Sequence, residues 1–159
     1  MGVSDHDTQI LHTAALLHDV GRLTLPDSIL NNTGALTESE WRLMRRHPQA
    51  AYDMLVGSFD SDVARIVLTH HEHIDGSGHP NGIKGDDIPL LSRIVRVADA
   101  YDAMTSPRLY RGAVSIDVAL RELQSEAGNE LDPLVVEAIS LMIGSKPSNL
   151  VSLPDRRAS

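Results

Sequence analysis

The chain has 159 residues, 42% of them apolar and 23% charged, which suits one soluble domain with a sizeable core. A formal net charge of −8 excludes binding of polyanions by bulk positive charge, and only 3% aromatic residues argue against base-stacking platforms for single strands, so neither DNA nor RNA is an expected partner. Cysteine is absent, which rules out disulfides and thiolate ligands; no apolar run approaches about 20 residues and no signal pattern opens the chain, so a cytoplasmic protein away from membranes is expected.

Helical spacing dominates. Ser4 to Asp7 forms a capping box, and Ile10, Leu11, Ala14, Ala15 and Leu17 recur at helical intervals until Gly21, which is expected to stop this first helix with His18 and Asp19 in its last turn. Pro26 to Leu30 reads as a short helical turn. Thr37 to Glu40 is a second capping box, opening a helix through Trp41 and Met44 to about Arg46. His47-Pro48 breaks that helix and starts another, with proline at a tolerated first position, running to Gly57. Asp60-Ser61 begins the helix that ends at His70-His71. After a long loop, Leu90 to Met104 returns to helical spacing, and further helices are predicted from Ser115 to Ala127 and from Asp132 to Ile143. No alternating strand pattern is present. The fold class is therefore all-α, one domain over residues 1–144 with about seven helices, and the Ser- and Pro-containing tail 145–159 is expected to be disordered.

The chemistry concentrates around HHEHIDGSGHPNG, residues 70–82. Gly76, Gly78 and Gly82 permit backbone shapes that a Cβ forbids and Pro80 fixes φ, so this loop is built to hold a form. Adjacent histidines on a helix point about 100° apart, so His70 and His71 can serve one metal only at a helix end, where the pattern places them. Read alone, His18-Asp19 fits a polar helix terminus as well as a ligand pair, and His47 fits a helix cap. Asp99 differs: it lies among Val95, Val97 and Ala98, where an unpaired carboxylate is costly, so it requires a partner or a metal. His6, His12 and His73 read as structural. Imidazole plus carboxylate without thiolate suits Fe, Mn, Zn, Co or Ni, and six such ligands suit two metals sharing a carboxylate.

With these residues placed, the chain closely resembles the HD-GYP family of HD metal-dependent phosphohydrolases. The likeness runs in order over roughly residues 2–143. It passes through His18-Asp19-Val20-Gly21-Arg22, Pro26 with Ile29-Leu30, Gly34-Ala35-Leu36, Glu40 and His47-Pro48. It continues through His70-His71-Glu72, Asp75 to Gly82, Gly85, Ile88-Pro89, Arg93-Ile94 and Ala98-Asp99. Asp102 to Ser106, Arg108, Tyr110-Arg111 and Asp132-Pro133 complete it. The resemblance implies hydrolysis of cyclic di-GMP to linear pGpG or GMP by metal-activated hydroxide, in second-messenger signalling. It implies two divalent ions, iron or manganese foremost, held by His18, Asp19, His47, His70, His71 and Asp99, with Asp19 bridging. Asp19 and Arg22 take the catalytic positions, and Arg22, Arg108 and Arg111 those that meet substrate phosphates. The Asp75–Gly82 loop is the implied contact for a diguanylate cyclase or other signalling partner.

Three departures from the family pattern shape the expectations. His79 stands where the family has tyrosine, and Arg22 where it has lysine; arginine keeps the charge but is a poor general acid. The family's upstream helix, with a further metal-ligating histidine, has no counterpart before His18, so the metal position built on His18, Asp19 and Asp99 is expected to be incomplete. Two other functions compete with the phosphodiesterase: a catalytically impaired binding or interaction module, and an HD phosphohydrolase for a different nucleotide.

Overall fold

A computed structural model describes residues 2–107 and 112–144 of the chain. Arg108, Arg111 and the tail 145–159 lie outside the described residues. Among those described there are eight α-helices and no strand: α1 (Asp5–Leu17), α2 (Asp27–Leu30), α3 (Glu38–Met44), α4 (His47–Leu55), α5 (Ser61–Thr69), α6 (Leu90–Thr105), α7 (Ile116–Ser125) and α8 (Pro133–Gly144). The single turn α2 is the short element expected after Pro26, and the seven others match the predicted set. No described helix is long and apolar enough to cross a membrane.

The helix starts follow from local chemistry. Ser4 and Asp7 form the reciprocal capping box at α1, and Thr37 and Glu40 the one at α3. Asp60 accepts the Asp62 amide at the start of α5, and Ser115 accepts the Val118 amide at α7. Each cap satisfies backbone donors that a helix start leaves without intrahelical partners.

Packing makes two adjoining cores. Ile10 and Ala14 of α1, Ala51 and Leu55 of α4, Val63, Ala64, Ile66 and Val67 of α5, and Val95 of α6 form the first. Val97 of α6, Leu123 of α7, and Leu131, Val135 and Val136 beside and within α8 form the second. Helix α6 is common to both because Val95 and Val97 point to different sides of it. Asp99 lies one turn beyond Val95 and so on the first core's side. A buried hydroxyl pair, Thr69 Oγ1 and Ser92 Oγ at 2.7 Å, ties α5 to α6.

One expectation about the first helix is corrected. α1 ends at Leu17, His18 caps it, and Val20–Thr24 forms a 3-10 turn that contains Gly21. Gly21 does not act through a left-handed backbone. A Cβ there would lie 2.0 Å from the His47 carbonyl oxygen and 2.6 Å from the Ala51 amide nitrogen. The glycine lets the turn after α1 touch the first turn of α4, which brings His18 and Asp19 against His47.

Gly21→Ala must therefore push α4 away from the 3-10 turn. A loss of about 3 kcal/mol is expected from such overpacking, read by urea denaturation, whereas Gly144→Ala, with open space around it, should be near neutral.

Candidate metal centre

Three helix ends and one helix side deliver the predicted residues to one place. His18 caps the C-terminus of α1, His47 is the first residue of α4, His70 caps the C-terminus of α5 with His71 next, and Asp99 projects from α6. His47 Nε2 is 3.4 Å from His70 Nε2 and 3.4 Å from Asp19 Oδ1. His18 Nε2 is 3.5 Å from Asp19 Oδ2 and 3.9 Å from Asp99 Oδ1. The His70 and His71 ring centroids are 4.1 Å apart, and His71 lies 5.0 Å from His47. His47, His70 and His71 each offer a ligand atom within 4.8 Å of the others, a spacing at which they could hold a metal ion.

The orientation of three of these rings has a common cause. His18 Nδ1 donates to the Ala15 carbonyl at 2.8 Å, His47 Nδ1 to Met44 at 2.8 Å, and His70 Nδ1 to Val67 at 2.6 Å. All three acceptors are carbonyls in the last turn of a helix, which have no partner within it. A carbonyl can only accept, so Nδ1 carries the proton and Nε2 presents its lone pair to the centre. This is the arrangement in which an imidazole binds a metal, its other nitrogen fixed by a backbone carbonyl.

Electrostatics agree. Burial pushes the pKa of His70 down to about 3, with smaller contributions from the neighbouring imidazoles of His47 and His18. Burial lowers His47 in the same direction, and burial together with the His70 ring holds His71 far below the ordinary imidazole range. These side chains are neutral donors at physiological pH. Arg22 Nε stands 2.7 Å from Asp19 Oδ1, but the N–H does not point at it, and both buried atoms lack a hydrogen-bond partner. The Asp19 carboxylate, ion-paired with Arg22 without an aligned hydrogen bond and flanked by imidazole lone pairs, is chemically suited to a metal cation as well. The residues fit a divalent metal centre.

Beside it runs a groove of about 440 Å³ whose lining includes Arg22, Trp41, Arg45, His71, His79 and Arg96. His79 stacks on His71 with ring centroids 5.1 Å apart and an interplanar angle of 16°, and burial lowers its pKa to about 4. His73, read as structural, also lines the groove: its Nδ1 meets Ser77 Oγ at 2.9 Å and its Nε2 lies 3.7 Å from Glu130. His6 and His12 are exposed on α1.

Sequence reasoning missed Glu72. Only 2% exposed, its carboxylate accepts the Asn81 amide at 2.7 Å and the Ile83 amide at 3.1 Å, clamping the glycine loop from within. Gly76 and Gly82 adopt φ of +87° and +64°, as foreseen, but Gly78 serves a close approach instead. A Cβ on Gly78 would sit 2.3 Å from the His73 amide. Glu72 stood next to the two histidines; nothing in the pattern showed that its side chain turns inward.

An HD domain family model matches residues 1–135. The chain belongs to the HD domain family. Over 142 residues it is 44% identical to the cyclic di-GMP phosphodiesterase response regulator RpfG of Xanthomonas campestris, a match covering 87% of this chain and 38% of that protein. Over 156 residues it is 36% identical to the 3'3'-cGAMP-specific phosphodiesterase 3 of Vibrio cholerae, covering 97% of this chain and 34% of that one. The chain thus spans little more than a third of the length of these relatives. Among solved structures it is similar to an HDG"Y"P protein from Bdellovibrio bacteriovorus, with a TM-score of 0.71 at 24% identity, covering 90% of this chain and 46% of that one.

The buried neutral imidazoles carry a pH signature. Unfolding exposes them, and their pKa returns to 6.5, so below that value the unfolded chain binds more protons than the folded one. Metal-free protein should hold constant stability, as far as these groups are concerned, from pH 8 to about 7. It should then lose about 1.4 kcal/mol per pH unit for each such imidazole as pH falls below 6.5 toward the folded values, seen as a falling urea midpoint. A midpoint flat from pH 7 to 5 would contradict the burial argument.

Glu72→Gln should keep the core but weaken the loop clamp. Hydrogen exchange at the Asn81 and Ile83 amides is expected to quicken about tenfold or more for loss of charge-assisted bonds, with exchange in α5 unchanged.

Proposed function

We propose that this chain is the catalytic module of a metal-dependent phosphodiesterase acting on cyclic dinucleotides, with cyclic di-GMP as first substrate. The observation that carries it is the convergence of three Nε2 lone pairs and the Asp19 carboxylate beside a groove lined by Arg22, Arg45 and Arg96. The sequence likeness to phosphodiesterases named for cyclic di-GMP and for 3'3'-cGAMP supplies the substrate class.

In this reading His47, His70, His71 and Asp19 would hold one divalent ion, and His18, Asp19 and Asp99 would hold a second less completely. Iron or manganese fits the thiolate-free donor set, with zinc, cobalt and nickel as alternatives. Bound ions supply Lewis acidity toward the phosphodiester and lower the pKa of an attacking water. The chain's own residues do the rest. The Nδ1 anchors keep the imidazoles in one tautomer and one direction. Asp19 is held between His18 and His47. Arg22, partly exposed at the groove, offers a fixed cation to a non-bridging phosphate oxygen and remains charged throughout. Arg108 and Arg111 are proposed to meet the second phosphate.

The likeness to a 3'3'-cGAMP-specific enzyme along 97% of the chain supports a second reading in which one of the two bases is adenine. The test is to purify the chain anaerobically, count metals, and follow cleavage of cyclic di-GMP and 3'3'-cGAMP with added manganese or iron. Close to two metals per chain and steady production of a linear dinucleotide are expected. His70→Ala and Asp19→Ala should each lower turnover at least 100-fold, the scale typical of losing a ligand or its support, and chelation should do the same reversibly. Protein that takes up no metal and leaves both nucleotides intact overturns the proposal and leaves a binding or interaction module.

A further inference from the structure

Trp41 is the chain's single tryptophan, and it is 50% exposed. Nothing in the two cores requires it. It lies on α3 at helical spacing from Met44 and Arg45, and all three line the groove beside the metal centre. Arg45 is exposed, and among the described residues no carboxylate pairs with it, in contrast to Arg22, Arg93 and Arg96, each of which has one. An indole face and an unpaired guanidinium, side by side on one helix face and open to a groove, are a matched pair for a nucleobase. The indole accepts the flat ring of any base by stacking. The guanidinium donates two parallel N–H bonds to O6 and N7 of guanine, whereas adenine presents an amino donor in place of O6.

We propose that Trp41 and Arg45 form the base subsite of this groove, Trp41 stacking one purine of the substrate and Arg45 selecting guanine over adenine at that position. The inference rests on the cyclic dinucleotide reading and refines it, since it concerns the feature that separates cyclic di-GMP from 3'3'-cGAMP. The neighbouring imidazoles strengthen the subsite. His79, stacked on His71 with ring centroids 5.1 Å apart, adds aromatic surface to the same groove. The stack holds its place through the His79 amide, which donates to the His71 carbonyl at 3.1 Å.

Because Trp41 is the sole tryptophan, its emission reports the subsite directly. Metal-loaded protein is titrated with GMP and AMP, monoesters that a diesterase does not turn over, and cleavage kinetics are measured with cyclic di-GMP. Saturable quenching is expected, with GMP binding about tenfold or more tighter than AMP. Arg45→Gln should retain the quenching and erase the preference. Trp41→Ala should raise KM for cyclic di-GMP roughly 10- to 100-fold with kcat much less affected, and Trp41→Phe should recover most of the loss. Both side chains are exposed, so circular dichroism should show an unchanged fold. Emission that neither nucleotide alters at millimolar concentration overturns the subsite, and so do unchanged KM values in both variants. Equal quenching by GMP and AMP in the parent chain overturns the role of Arg45. These outcomes are separable from failure of the underlying reading. A parent chain that cleaves cyclic di-GMP while its Trp41 stays silent refutes only the subsite. Guanine-selective quenching in a chain that cleaves no cyclic dinucleotide supports the subsite and refutes the enzyme.

Discussion

The structure turns on helix termini that hand their unpaired carbonyls to histidines. The last-turn carbonyls of α1, α3 and α5 lack intrahelical donors, and Ala15, Met44 and Val67 find them in the Nδ1–H groups of His18, His47 and His70. One contact serves two ends. It satisfies a backbone group that burial would otherwise penalise, and it fixes the tautomer that leaves Nε2 free. Burial then keeps the His47 and His70 rings unprotonated, more strongly for His70. The same arrangement holds Asp19 Oδ1 in an ion pair with Arg22 that lacks hydrogen-bond alignment.

What lets the helix ends meet is close backbone approach. Gly21 brings the turn after α1 onto the first turn of α4, with no room for a side chain. Gly78 does the same for the loop after α5, pressing it onto residues 71–73 and setting His79 over His71. Helix α6 adds Asp99 from the side, and its two faces commit it to both cores at once. The centre therefore inherits the rigidity of both cores while standing at the edge of a solvent-open groove. That combination suits a site that must hold ligands still and yet admit a charged substrate.

The glycine loop is ordered from inside by a carboxylate. Glu72 takes up two loop amides, and backbone bonds from Ile74 to Glu130 and from Asp75 to Asn129 tie the loop's near edge to the turn before α8. The glycine loop is thus also a wall of the groove, through Ser77, Gly78 and His79. Arg96 pairs with Glu130 at its far side, and His73 leans on the same carboxylate. A net-negative chain in this way gathers Arg22, Arg45 and Arg96 around one concave surface.

Much of this was legible in the residues themselves. Capping boxes at Ser4 and Thr37, apolar spacing and the breaks at Pro48 and Pro107 marked the helices to within a few residues, because these signals are local. His70-His71 at a helix end and Asp99 in an apolar stretch announced a centre, because their chemistry is anomalous wherever they stand. Gly21 was misread as a helix stop, since a glycine needed for close approach looks the same in sequence as one needed for a left-handed turn. Glu72, Trp41 and Arg45 gave no signal of their own, since inward or groove-facing orientation depends on what packs opposite. The sequence by itself determined the helices and the set of metal-competent side chains, for these rest on local propensity and residue type. Only the tertiary structure decided which nitrogens face one another, which carboxylate clamps the loop and which arginine is left free, because each depends on contacts between segments distant in the chain.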